Sequence, residues 1–251
     1  MKVVACYSVK GGVGKSTLAA NLAWASATLS SRSTLLWDLD PQGSGGFLLG
    51  VDRPAGREAL AVFAHADAEK PPIVATSYLR LDVLPADSGL HDVAGLLARL
   101  GKKRRLAKLT RSLAGRYERI VLDCPPVLNE LSSQVLRAAD AIIVPLTASP
   151  LAERGLADVL EHLRRHHSGH APVLPVFAMY DARRKLHQAA HAAHPDWPVV
   201  PMASAMEQTA VLRRPIGDMA PRSPAAEAVT RDRTAPDRRA RLGLRPNQRF
   251  R

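Results

Sequence analysis

SVKGGVGKST, residues 8–17, decides how the rest of the chain is read. The end of a nucleoside-triphosphate phosphate loop, G-K-[ST], is supplied by Gly14, Lys15 and Ser16, while the glycine that usually opens such a loop is replaced by Val9. Gly11, Gly12 and Gly14 leave the backbone N–H groups free to converge on phosphate oxygens at the start of a helix. Lys15 is placed to reach the outer phosphates, and the Ser16 hydroxyl is a ligand for Mg²⁺. The loop needs a strand before it and a helix after it. KVVACY, residues 2–7, is a β-branched apolar run of the kind found in buried parallel strands, and Leu18, Leu22, Ala25 and Leu29 recur at helical spacing, predicting a helix with one buried face. Lys10, five residues before Lys15, is not explained by the common pattern.

Outward from the loop, apolar runs at 33–38, 80–85, 119–123, 141–146, 173–179 and 198–201 alternate with helical patterns near 16–30, 89–113, 129–138, 151–166, 183–193 and 204–213. This alternation predicts an α/β fold, a doubly wound, mostly parallel sheet flanked by helices, with ligands at the carboxyl ends of the strands. Residues 51–78, interrupted by Pro54, Pro71 and Pro72, carry no clear pattern.

The length suits one large domain, assigned to residues 1–220. Two cysteines, Cys6 and Cys124, are too few for a disulfide framework or a metal cluster, and both sit in apolar runs as buried free thiols. No signal peptide opens the sequence and no run of about 18 apolar residues occurs, so a cytoplasmic protein without membrane association is expected. The net charge of +12 points to polyanionic partners. Half of that excess lies in residues 221–251, where nine arginines face Glu227, Asp232 and Asp237; this Pro/Arg-rich tail is expected to be poorly ordered.

STLLWDLDPQGSGG, residues 33–46, is an apolar strand ending in Asp38 and Asp40, and YERIVLDCPP, residues 117–126, ends another strand in Asp123. An aspartate at a strand end is commonly a turn former. Three of them at the edge that carries the glycine loop suit a magnesium site, with Asp123 in the position from which a Walker-B aspartate holds the ion through water.

With KGGVGKST, LLWDLDPQG, IVLDCPP, AIIVPLTASPLAERGL and VFAMYDARRKL in this order and approximate spacing, the chain resembles the ParA group of the ParA/MinD deviant Walker-A ATPases over roughly residues 1–230. The resemblance implies a homodimer with ATP sandwiched between subunits, Lys10 crossing to the partner's phosphates while Lys15 serves its own. It further implies that Gly11, Gly12, Val13, Gly14 and Thr17 line the phosphates and that Ser16, Asp38 and Asp123 form the Mg²⁺ region. Asp40 matches the residue that orients or activates the attacking water; slow intrinsic hydrolysis, stimulated by a partner, follows from a site that works mainly by positioning. Met179, Asp181 and Pro201 match the segments along the adenine, with simple core packing as the alternative.

Arg183, Arg184 and Lys185 at a helix start, and Arg213 and Arg214 at a helix end, resemble positions through which ParA proteins bind DNA without sequence preference; a solvated charged face is the alternative. GKKRRLAK, residues 101–108, is a third basic cluster, read as a solubilising face. The family's closing helix is expected to be lost after Thr230, its usual IPR stretch reads Pro201, Met202, Ala203, and no helix-turn-helix precedes the loop. The implied function is segregation or positioning of plasmid or chromosome DNA on the nucleoid, with a ParB-like adaptor. Positioning of a protein cargo is the alternative, and a MinD-like membrane ATPase is disfavoured for want of an amphipathic C-terminal helix.

Overall fold

Strand after strand begins as an apolar run and ends at a residue that lines one common edge. The computed structural model describes residues 1–64, 71–101, 103–166 and 170–232. In chain order these form β1 (Lys2–Cys6), α1 (Lys15–Leu29), β2 (Thr34–Asp38), α2 (Ser44–Phe47), α3 (Glu58–Ala64), β3 (Val74–Ala75), β4 (Leu81–Leu84), α4 (Leu90–Leu100), α5 (Arg105–Ser112) and β5 (Arg119–Asp123). There follow α6 (Glu130–Ala138), β6 (Ala141–Leu146), α7 (Pro150–His166), β7 (Val173–Tyr180), α8 (Lys185–Ala193), β8 (Val199–Pro201), α9 (Ser204–Leu212), α10 (Ile216–Met219) and α11 (Pro224–Asp232). The sheet order is β3-β4-β2-β5-β1-β6-β7-β8, parallel throughout except for the antiparallel edge pair β3–β4.

Period-two alternation sorts the strands into two layers. Val3, Ala5, Leu35, Trp37, Ile120 and Leu122 pack against α3 to α7, while Val4, Cys6, Leu36 and Val121 pack against α1 and α11. Within that second set the strands end in Asp38 and Asp123, which are register partners, with Cys6 of β1 opposite Asp123. The glycine loop after β1 therefore sits beside two carboxylates on the α1 face of the sheet. The two cysteines are free and buried, and fall on opposite faces.

Several sequence expectations change. The single helix predicted for 89–113 is two, because Gly101 takes a left-handed conformation (φ 60°) and closes α4, its N–H donating to the carbonyls of Leu97 and Ala98. α1 does not have one buried face: Leu18 through Ala27 are all buried, since α10 and α11 cover its outer side. Gly217 of α10 lies so close to the Trp24 ring that a Cβ there would be 2.1 Å from it. The tail does not begin at 221. α11 docks on α1 and β8 through Ala225, Ala226 and Val229, apolar positions one and four residues apart on one helical stripe. The rest of that segment, 233–251, lies outside the described residues. In 51–78, α3 and the short edge strand β3 appear; the Arg105 side chain, reaching across from α5, donates to the carbonyls of Phe63 (2.7 Å) and Ala64 at the end of α3.

Candidate nucleotide site

The loop between β1 and α1 is open where a ligand must approach. Gly12 (φ 70°) and Gly14 (φ 86°) take left-handed conformations, and no atom lies within 4 Å of where a Cβ would stand on Gly11 or Gly12. Val9, the residue that breaks the common motif, is used in packing: its Cγ2 lies 3.4 Å from the Cβ position of Gly155 in α7. The two lysines have different addresses. Lys15 is buried and its Nζ donates to the Lys10 carbonyl at 3.1 Å, whereas the Lys10 side chain is exposed on the rim. Burial pulls the Lys15 pKa below the ordinary lysine value, and the carboxylates of Asp123 and Asp40 act against that pull. Val13 is buried beneath the loop, and Ser16 and Thr17 are half-buried in the first turn of α1.

Asp38 and Asp123 are completely buried. Asp38 Oδ1 accepts from the Asp40 N–H (3.1 Å) and Oδ2 from the Gly46 N–H (3.0 Å). Burial nevertheless pushes its pKa to about 7. Asp123 is raised well above the carboxylate range, first by burial and then by the charge of Asp38, with the Ser16 hydroxyl acting in the other direction. Neither Asp123 oxygen has a hydrogen-bond partner at bonding distance among the described residues, which is costly for a buried carboxylate. A hard divalent cation fits this orphaned pair of oxygens, with Ser16 beside it. Among the described residues no three His, Cys, Asp or Glu side chains gather into a self-contained metal site, so such an ion would depend on phosphate oxygens and water for its remaining ligands.

Asp40 is half-exposed, and its Oδ1 accepts from the Gln42 N–H at 3.0 Å, a local turn that holds the carboxylate at the edge of the loop. Sequence reasoning missed the glycines that complete this corner. A Cβ on Gly45 would stand 2.8 Å from Asp123 Oδ2 and 3.1 Å from Asp38 Oδ2, so α2 passes its backbone directly over both carboxylates. The signal was present in GSGG, residues 43–46, a glycine cluster just after the acidic strand end.

A cleft of about 450 Å³ opens between the ends of β7 and β8, lined by Tyr180, Asp181, Arg183, Pro201, Met202 and Glu207 among others. Met179, at φ 54°, turns its side chain back so that Cε lies 3.8 Å from the Gly14 Cβ position, joining this cleft to the phosphate loop. Met179 is 40% exposed and Asp181 and Pro201 are half-buried, which separates all three from core packing. Asp181 is engaged by Arg183, whose Nε and Nη2 donate to Oδ1 (2.9 Å) and Oδ2 (3.0 Å) and hold its pKa down to about 2. The buried His187 accepts from the Asp181 N–H through Nδ1 at 2.9 Å.

The five cations singled out for DNA are not equivalent. Arg183 is spent on Asp181. Arg213, at φ 53°, closes α9 and reaches back to the loop carboxyl-terminal to Asp40: Nη2 donates to Asp52 (2.8 Å), Nε to the Phe47 carbonyl (3.1 Å), and its guanidinium lies 4.4 Å from the Phe47 ring centroid. Arg214 pairs with Asp218 at 2.9 Å. Arg184 and Lys185 are exposed and make no ion pair among the described residues.

Comparison with known proteins agrees with this geometry. A family model described as AAA domain matches residues 1–174. The chromosome partitioning protein ParA of Caulobacter vibrioides is 36% identical over 200 residues, covering 74% of this chain and 72% of that one. In fold, the chain is similar to the ATP complex of a Cyanothece McdA variant (TM-score 0.81, 21% identity, 100% and 99% of the two chains). It is also similar to the septum site-determining protein MinD of Pyrococcus horikoshii with Mg-ADP (TM-score 0.76, 23% identity, 97% and 99%). With a glycine loop carrying a rim lysine, two buried aspartates in register beside it and these relatives, the chain belongs to the ParA/MinD family of P-loop ATPases.

Proposed function

We propose that the protein is a ParA-type ATPase that dimerises around ATP and Mg²⁺, binds DNA without sequence preference most tightly in that state, and loses that added affinity on hydrolysis, so segregating or positioning plasmid or chromosome DNA on the nucleoid. The observation that carries this reading is the separation of the two lysines. Lys15 turns inward beside Asp123, within reach of phosphates bound in its own loop, while Lys10 projects from the rim with its side chain free for a second subunit. In this reading the loop N–H groups of residues 11 to 17 bind the phosphates, and Ser16, Asp38 and Asp123 hold the Mg²⁺ region. The ion, when bound, neutralises charge on the phosphates. Asp40 orients the attacking water and accepts its proton, and the β7–β8 cleft takes the base. In this reading the site works mainly by positioning, so turnover by one chain is slow and an adaptor of ParB type accelerates it.

The test is a pair of substitutions measured by nucleotide binding and light scattering. Lys15→Ala abolishes ATP binding. Lys10→Ala keeps nucleotide binding yet loses the ATP-dependent doubling of mass. An ATP dimer formed by Lys10→Ala as readily as by the parent removes the role in trans.

A further inference from the structure

The basic cluster taken for a solubilising face has a different character from the five cations assigned to DNA. Between Asp92 and Glu118 there are eight lysines and arginines and no acidic residue. Arg105 is buried at the end of α3 and Arg116 is paired with Asp82. Arg99, Lys103, Arg104 and Arg111 are exposed and make no ion pair among the described residues. Arg104 stands at the start of α5 and Arg111 lies two turns further along, so the helix presents both to the same side, roughly 10 Å apart at 1.5 Å per residue. No acidic residue occupies the first turn of α5, and the positive end of its dipole adds to the field of Lys103 and Arg104.

This face is also insulated from the nucleotide. α5 packs in the layer opposite α1, with α6 over β1 and α7 over β6 lying between it and α8. No hydrogen bond or ion pair among the described residues joins Arg99, Lys103, Arg104 or Arg111 to the glycine loop, α2 or the β7–β8 cleft. Arg213, by contrast, is bonded to α2, whose backbone covers Asp38 and Asp123.

We propose that the α4–α5 face is a second contact surface for the phosphate backbone of duplex DNA, one that acts irrespective of the bound nucleotide. It rests on the reading that the protein is a DNA-binding ATPase and adds to it a basal, electrostatic hold that persists in the ADP state. Charge complementarity selects the partner. From residue 93 to 117 the charges are of one sign, and Leu100, at 36% exposure, is the one large apolar side chain this stretch shows among the described residues. Protein partners anchor on buried aromatic and apolar groups and membranes need an apolar face, whereas phosphate contacts need cations alone.

The experiment measures binding of the full chain to a labelled random duplex of about 24 base pairs by anisotropy, with Mg-ADP and with Mg-ATP, from about 50 to 200 mM salt. Arg104→Glu/Arg111→Glu lowers ADP-state affinity about tenfold and makes the salt slope shallower by roughly 1.8 in both nucleotide states, from about 0.9 per phosphate contact. Arg104→Lys/Arg111→Lys restores the slope, and an unchanged thermal midpoint shows the fold intact. Arg184→Glu/Lys185→Glu lowers the gain in affinity due to ATP, and a gain that persists undiminished counts separately against the parent reading. The proposal is overturned if Arg104→Glu/Arg111→Glu keeps the parent's affinity and slope, if the parent shows no ADP-state binding at low salt, or if the substitution abolishes binding to labelled poly-glutamate while duplex binding is unchanged. That last result assigns the face to an acidic polypeptide.

Discussion

The phosphate edge and the shoulder built by α8, α9 and α10 are both dense in charge, and they dispose of it in opposite ways. At the edge, Asp38 and Asp123 are buried and, among the described residues, no partner stands at hydrogen-bonding distance from the Asp123 oxygens, so the pair waits for a ligand. On the shoulder, Arg183, Arg213 and Arg214 are each satisfied by a carboxylate of the same chain. The difference teaches that a count of charged residues says little about which charges are available. Burial without pairing stores a demand for a ligand, and surface pairing cancels one.

The sharpest way to break the comparison is at the edge. Asp123→Ala removes the orphaned oxygens and is expected to lower Mg²⁺-dependent ATP hydrolysis by on the order of 10²–10³, as loss of a preorganised charge-stabilising group does. Asp40→Ala, which removes a half-exposed carboxylate held by a local turn, keeps nucleotide and metal and accumulates the ATP-bound form; equilibrium binding alongside single-turnover hydrolysis separates the two. An Asp40→Ala protein that no longer binds nucleotide makes that residue structural.

A second effect follows from the raised pKa of Asp38. The folded state holds a proton that the unfolded chain releases near pH 4, so the unfolded state gains from ionisation first. The penalty on the metal-free protein is absent below about pH 4, grows with rising pH, and is complete above about pH 7, reaching on the order of 4 kcal/mol for a shift from about 4 to about 7. Thermal melts without nucleotide or metal should therefore show a midpoint that falls between pH 5 and pH 8. Asp38→Asn flattens that dependence. A parent midpoint that rises over this interval contradicts the buried, proton-holding edge.

The smallest effect tests the shoulder. Arg213→Ala removes one exposed ion pair, a hydrogen bond to the Phe47 carbonyl and a contact with the Phe47 ring, together about 1–2 kcal/mol once screening is allowed for. Arg213→Gly loses the same contacts but suits the left-handed backbone at φ 53°, so it should be the more stable of the two by about 1 kcal/mol in chemical denaturation. Equal stabilities show that the conformation carries no strain.

Much of the site was legible because its parts are local. The glycine loop, Lys15, Ser16 and the aspartates at strand ends are each announced within about ten residues, and LLWDLD and IVLDC place Asp38, Asp40 and Asp123 at the edge that carries the loop. The alternation of strands and helices likewise predicted the parallel sheet. Gly101, by contrast, was passed over as a helix stop because the apolar spacing continues on both sides of it. α11 was assigned to the tail because Ala225, Ala226 and Val229 are small residues whose burial depends on β8 and α1 lying opposite them.

By itself, then, the sequence determined the phosphate loop, the strand-end acids, the layered sheet and the family, since each rests on spacing along the chain and on the backbone freedom of glycine. Only the tertiary structure decided which of two lysines turns inward, that α1 is buried all round, that Gly45 lies over both carboxylates, and which arginines are already paired. Those outcomes depend on contacts between residues as much as 195 positions apart, as Ile216 is from Asn21. Spacing within one element carries no information about the partner that another element brings to it.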